Sequence, residues 1–186
     1  NRGRVYKLRA YEIPEAGRQA KGTNIINLIA IEQDEKIQTV LTVADGKKEG
    51  FLFMGTKQGI VKKTHISEFK NLRKNGLIAI SLKDGDELLK VKNTYGDANI
   101  IVVTQNGYAV RFNEQNVRAM GRTASGVKAI NLKDDDIAVC MDIAVDDEEL
   151  LVISENGFGK RTPIKEYKVQ NRGGVGLITY KISEKT

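Results

Sequence analysis

Ile100-Ile101-Val102-Val103-Thr104-Gln105-Asn106-Gly107-Tyr108-Ala109-Val110-Arg111 decides the fold. Four apolar, mostly β-branched residues run into Gln-Asn-Gly, and a second β-rich segment follows. Asn-Gly between two such runs signals a hairpin, because its turn needs positive φ, which Gly adopts readily. The pattern recurs. Leu150-Leu151-Val152-Ile153 precedes Glu155-Asn156-Gly157, and Phe51-Leu52-Phe53-Met54 precedes Lys57-Gln58-Gly59. Gly3 stands at the same place near the start of the chain. Four residues past these glycines come Lys7, Lys63, Arg111 and Arg161; ten past come Ile13, Phe69, Val117 and Tyr167.

A second glycine follows each first one: Gly22, Gly76, Gly126 and Gly176. Beyond it, Ile26 and Leu28, Ile80 and Leu82, Ile130 and Leu132, and Tyr180 and Ile182 alternate with period two, as a half-buried strand does. Acidic turns follow at Glu32 to Glu35, Asp84 to Glu87 and Asp134 to Asp136, and then further strands over Ile37 to Val43, Leu88 to Lys92 and Ile137 to Ile143. The unit is about 50 residues with about four strands, giving repeats near 1–50, 51–99, 100–149 and 150–186 of a single domain. Units this small bury their faces only by stacking. The expected fold is all-β: a β-pinwheel or propeller-like array of about four four-stranded blades, compatible with membership of a six-bladed ring. The chain enters its first repeat part-way, so a fragment of a larger protein is expected.

Composition narrows the function. The chain has 186 residues, 40% of them hydrophobic, an ordinary share for a folded domain. No apolar run approaches the length of a membrane span, and no signal-peptide core opens the chain. Cys140 is the lone cysteine, which rules out an internal disulfide; an apolar strand around it predicts a buried thiol. His65 is the lone histidine, so His-based metal clusters and a repeated Ser-His-Asp set are excluded, and an exposed turn position is expected for it. Asp134-Asp135-Asp136 and Asp146-Asp147-Glu148-Glu149 lack calcium-loop spacing and read as solvated turns. No phosphate-binding glycine loop occurs.

The net charge of +6 is modest, but its placement is not random. Residues 1–28, 57–82, 105–132 and 155–182 hold 22 of the 30 Lys and Arg and 6 of the 24 Asp and Glu. The same segment is basic in every repeat, and the intervening segments are acidic. Equivalent positions of stacked repeats share one side of the array, so the bases should form a band suited to a polyanion. No recognition helix, zinc spacing or aromatic platform is present to read bases. The expectation is phosphate contact with bending of duplex DNA. The residues expected to carry it are Arg2, Arg4, Lys7, Arg18, Lys21, Lys62, Lys63, Arg73, Lys74, Arg111, Arg118, Arg122, Lys160, Arg161 and Arg172.

The repeat resembles the β-pinwheel C-terminal domain shared by gyrase A and topoisomerase IV. The likeness spans the chain and is carried by Asn1-Arg2-Gly3-Arg4-Val5-Tyr6, Ile13-Pro14-Glu15-Ala16, Gly17 to Gly22, Asn27-Leu28, Gly59-Ile60-Val61-Lys62-Lys63-Thr64, Val117-Arg118-Ala119-Met120-Gly121, Gly126-Val127 and Asn156 to Thr162. The resemblance implies strands exchanged between neighbouring blades and duplex DNA wrapped on a basic outer rim. It implies no catalytic residue and no cofactor here, ATP and Mg²⁺ belonging to other parts of the parent enzyme. The implied partners are double-stranded DNA, a gyrase A dimer and gyrase B, with no membrane, in the bacterial cytoplasm at the nucleoid. Gln170-Asn171-Arg172-Gly173-Gly174-Val175-Gly176 resembles a degenerate copy of the gyrase glycine-rich box, departing from it at Asn171. There Arg172 could fork onto a phosphate, or the glycines could serve only a turn. Two alternatives stand beside the gyrase reading. One is a topoisomerase IV domain steering substrate choice; the other is a propeller-type protein-docking module, which predicts an apolar rim patch and salt-insensitive binding.

Overall fold

In the computed structural model, residues 1–42, 49–72 and 75–186 are described. Among them the chain is all-β, and its helical segments are short 3-10 turns. Twelve strands form four small sheets among these residues. The first pairs β1 (Arg4–Val5) with β4 (Leu77–Ile78). The second has the order β5-β2-β3-β8, from Leu88–Thr94, Phe51–Thr56, Ile60–His65 and Val127–Lys128. The third has the order β9-β6-β7-β12, from Ala138–Ile143, Asn99–Thr104, Tyr108–Asn113 and Leu177–Ile178. The fourth is the hairpin β10 (Glu149–Ile153) and β11 (Gly159–Pro163).

Blades and sequence repeats are therefore offset. The short strand after the second glycine joins the sheet of the preceding repeat three times over. Leu77 pairs with Val5, Val127 with Val61, and Leu177 with Ala109. The pairing stretch lies one or two residues past the glycine, ahead of the alternating positions expected to be strand. Ala79 to Leu82 and Ala129 to Leu132 leave the ladder in a bend, and Ile80 and Ile130 are buried. Two blades have four strands, while the first and last sheets have two among the described residues. In the first repeat, Ile37 to Thr42 form no strand, and Val43 lies outside the described residues.

Glycines make the exchange possible. Gly59 and Gly107, at φ +72° and +81°, close the hairpins with their N–H groups on Thr56 O and Thr104 O. Their own carbonyls accept from the incoming strand: Ala129 N to Gly59 O and Thr179 N to Gly107 O, both 2.8 Å. Ala79 N to Gly3 O at 2.8 Å repeats the contact in the first sheet.

The core is a stack of interfaces between blades. Phe53, Ile100, Val102, Val110, Phe112 and Met141 form one layer. Leu52, Met54, Phe69 and Ile80 form a second, and Ile101, Val103, Ile164 and Tyr167 a third. Successive residues of β2 and β6 thus face opposite neighbours, which is why these strands read as unbroken apolar runs. The fourth hairpin has the same kind of sequence, yet Leu151 and Ile153 are exposed, with one face uncovered among the described residues.

Candidate nucleic-acid interface

Which edge of each blade faces outward follows from the topology. β5 and β9 pack against each other, with Lys92 Nζ 2.6 Å from Asp142 Oδ1. They are the inner edges of the two four-stranded blades. β8 and β12, the exchanged strands, lie at the opposite edges. The segment leading into each exchanged strand runs along the same outer side. Its backbone bridges to the preceding blade at Lys63↔Ala119 and Arg111↔Val169. The outer edge of a blade is therefore built by residues from the next repeat.

Several expected bases sit on that edge or beside it. Arg118 is exposed and Arg122 half-buried on the segment entering β8; Lys128, within β8 and not among the expected bases, is also exposed. Arg172 is half-buried on the segment entering β12. Its Nε donates to Asn116 O at 2.9 Å and its Nη1 to Lys128 O at 3.1 Å, so much of the guanidinium is engaged with backbone. Within the box-like stretch, Gln170 N donates to Arg111 O at 2.7 Å, Gly173 N to Ala129 O at 2.6 Å, and Gly174 O accepts from Asn131 N at 2.8 Å. A Cβ on Gly176 would overlap the carbonyl of Ala109. Gln170-Asn171-Arg172-Gly173-Gly174-Val175-Gly176 thus forms a turn clamped to the preceding blade. Gly126 meets Val61 O in the same way.

In the first repeat Arg2 and Arg4 both pair with Glu32, at 3.1 and 2.8 Å. The Arg2 pair is exposed, worth little and exchangeable for a phosphate, whereas Arg4 is half-buried and its Nη2 also donates to Asn75 O at 2.9 Å. Lys7, Arg18 and Lys21 are exposed. Lys160 is exposed with its Nζ 5.7 Å from the Tyr180 ring, and Arg161 pairs with Glu149 at 3.1 Å. Arg73 and Lys74 lie outside the described residues.

Three expected contacts are inside the protein instead. Lys62 is 0% exposed; its Nζ donates to Ala79 O at 2.6 Å and also to Arg122 O. Burial, and then the Arg122 charge, pull its pKa down to about 8. Lys63 donates to Glu114 O at 2.9 Å, and Arg111 donates to Ile164 O and Tyr167 O at 3.2 Å and meets Asp146. Their ammonium and guanidinium groups are engaged with neighbouring repeats, so none of the three faces solvent as a rim contact would. Counting from the glycine locates the position but not its burial, because β3 is covered on both faces.

Other expectations are corrected as well. Asp136, expected in a solvated turn, is buried, as is its equivalent Asp86: each Oδ1 accepts from a hairpin tip, Asn106 N and Gln58 N, both at 2.9 Å. His65 is half-buried rather than exposed. Its Nδ1 accepts from Ser67 N at 3.2 Å, and its ring meets Phe51 edge-on at 5.3 Å. Cys140 is half-buried on β9.

The structure brings out a further basic register. Eleven residues past the first glycine stand Lys70, Arg118 and Lys168, all exposed. Each directly follows a buried anchor, Phe69, Val117 or Tyr167. The anchor pins the backbone, and the next side chain points away from the core. The signal is present in the repeat pattern, one residue beyond the apolar position. Of the three, only Arg118 is among the bases expected from sequence, because exposure at this register becomes evident only once its anchor is seen to be buried.

Comparison with known proteins follows the same division. Residues 1–44, 50–94, 98–139 and 148–185 each match the family described as DNA gyrase C-terminal domain, beta-propeller. The DNA gyrase A subunit of Clostridium acetobutylicum is 63% identical over 186 residues, covering 100% of this chain and 22% of that protein. Its counterpart from Staphylococcus epidermidis is 48% identical over 188 residues, covering 100% of this chain and 21% of that one. The chain thus spans about a fifth of the length of these relatives. A crystal structure of the C-terminal domain of DNA topoisomerase IV superposes with a TM-score of 0.89 at 32% identity, covering 96% of this chain and 56% of that one. A DNA gyrase A C-terminal domain gives 0.83 at 31% identity, covering 100% and 60%. With its four repeats matched, its sheets superposed and its strands exchanged between neighbours, the chain belongs to the DNA gyrase C-terminal domain, beta-propeller family.

Proposed function

We propose that the chain binds duplex DNA along the outer edge of its blades and bends it, as the accessory module of a DNA gyrase that introduces negative supercoils. The observation that carries this reading is the exposed base repeated at one register of the outer segments: Lys70, Arg118 and Lys168. Arg122, Lys128 and Arg172 stand on the same segments. A row of cations on successive outward edges neutralises phosphates, releases counterions and needs no base contact. Lys7, Arg18, Lys21, Lys160 and Arg161 extend the exposed set.

ATP and Mg²⁺ are assigned to other segments of the parent enzyme. The repeated acidic turns do not suit a hard cation, because Asp86 and Asp136 direct their carboxylates at backbone amides. The gyrase A dimer, its gyrase B partner and residence at the bacterial nucleoid belong to the same proposal.

The test is a topology assay. The protein is bound to relaxed circular DNA, the circle is nicked and resealed, and the linking number is read after removal of protein. A retained positive shift supports wrapping, and no shift at saturating protein overturns it. A second reading, steering of substrate choice without wrapping, draws on the TM-score of 0.89 to the topoisomerase IV domain. It predicts binding to duplex with no shift in the same assay.

A further inference from the structure

Lys63 and Arg111 stand at the same place in consecutive repeats, four residues past the hairpin glycine, on β3 and β7. Both side chains reach into the following repeat. Lys63 Nζ donates to Glu114 O at 2.9 Å, stands 3.7 Å from the Glu114 carboxylate and lies 5.0 Å from the Phe51 ring centroid. Arg111 Nη1 donates to Ile164 O and Tyr167 O, and its Nη2 meets Asp146. Glu114 and Ile164 are equivalent: each opens the 3-10 turn of its own repeat, Glu114–Asn116 and Ile164–Glu166. The cation of one blade therefore grips the same carbonyl of the next blade, twice over.

The backbone beside each cation is joined to the same neighbour. Met120 N donates to Lys63 O at 2.8 Å, and Gln170 N to Arg111 O at 2.7 Å. Across the blade, the Lys92–Asp142 pair ties the inner edges β5 and β9. The junction between these blades is thus held on both sides. A buried cation is costly, and an apolar side chain of similar volume could fill the space. What apolar packing lacks is direction: a bond to one carbonyl permits one placement of the neighbouring turn.

We propose that Lys63 and Arg111 are positioning residues: they set the angle between successive blades, and with it the curvature of the outer edge, without touching the duplex. The proposal rests on the wrapping function above. It separates Lys63 and Arg111 from Lys7, which holds the same register but is exposed.

The experiment has two arms. In the first, Lys63→Met and Arg111→Met are combined and compared with wild type and with Lys63→Arg plus Arg111→Lys. The Met variant is expected to bind a duplex too short to wrap with wild-type affinity and salt dependence. Its linking shift per bound molecule on a relaxed circle should fall by about half or more, and the conservative pair should restore it. An unchanged shift, or a loss of short-duplex affinity with a shallower salt slope, overturns the proposal.

In the second arm, lysines of the unmodified protein are reductively methylated with and without duplex and mapped by mass spectrometry. Lys63 should stay unmodified in both states, while Lys70 and Lys168 are modified in free protein and protected by DNA. Modification of Lys63 in free protein with protection by DNA overturns the proposal even if the Met variant does not fold. If wild type itself gives no linking shift, the wrapping function fails, and the labelling still decides whether Lys63 is a fastener or a contact.

Discussion

Tyr180 N donates to Gly107 O at 3.1 Å, and a Cβ built on Gly107 would overlap the carbonyl oxygen of Tyr180. Gly107 belongs to one repeat and Tyr180 to the next, so the hairpin turn of one blade is the seat for the exchanged segment of its successor. Gly157 has the same backbone conformation, φ +84°, with no described atom within 4 Å of its Cβ position. The pair separates backbone strain from interblade contact. Gly157→Ala should cost about 1–2 kcal/mol from the left-handed backbone alone. Gly107→Ala should cost about 1–3 kcal/mol more from overpacking. Thermal unfolding of the two variants checks the difference.

The acidic turns hold the hairpin tips. Asp136 Oδ1 accepts from Asn106 N and from Ile137 N, each at 2.9 Å. Asp136→Ala leaves both amides without this acceptor and should destabilise by about 1–3 kcal/mol. Asp136→Asn keeps an acceptor oxygen and should recover most of the loss. Denaturant midpoints of the two variants read the difference.

Lys62 makes stability respond to alkaline pH. Its folded pKa, about 8, lies below the 10.5 of an ordinary lysine because burial disfavours the ammonium. Between these values the unfolded chain binds the extra proton. The Lys62 contribution to stability therefore rises as pH climbs from about 8 to 10.5, and its penalty is fully present below about 8. The stability difference between wild type and Lys62→Met should drift in favour of wild type across this window and stay flat at neutral and mildly acidic pH. Urea unfolding of both proteins at stepped pH measures it.

Replacing Lys70, Arg118 and Lys168 together with Ala should leave the thermal midpoint nearly unchanged, since all three are exposed. If each meets one phosphate, the slope of log affinity against log salt should become shallower by about 2.7. Affinity measured over a salt series decides; an unchanged slope places the duplex elsewhere.

The sequence alone determined the repeat, its hairpins and the all-β class. Those depend on local signals: a glycine where φ must be positive, two apolar runs around it, an acid at the turn. It also determined that bases recur in register. Only tertiary structure decided which of those bases face solvent. β3 and β7 are buried on both faces, so the period-two rule that sorts inside from outside has no solvent side to refer to. Lys63 and Arg111 are inside because the next repeat covers them, whereas Lys7, at the same register, is exposed. The offset between repeat and blade was likewise beyond local reading, since Val127 pairs with Val61 from the following repeat. Burial of a charge is settled by what packs over it, and for Lys63 and Arg111 that partner is the neighbouring repeat.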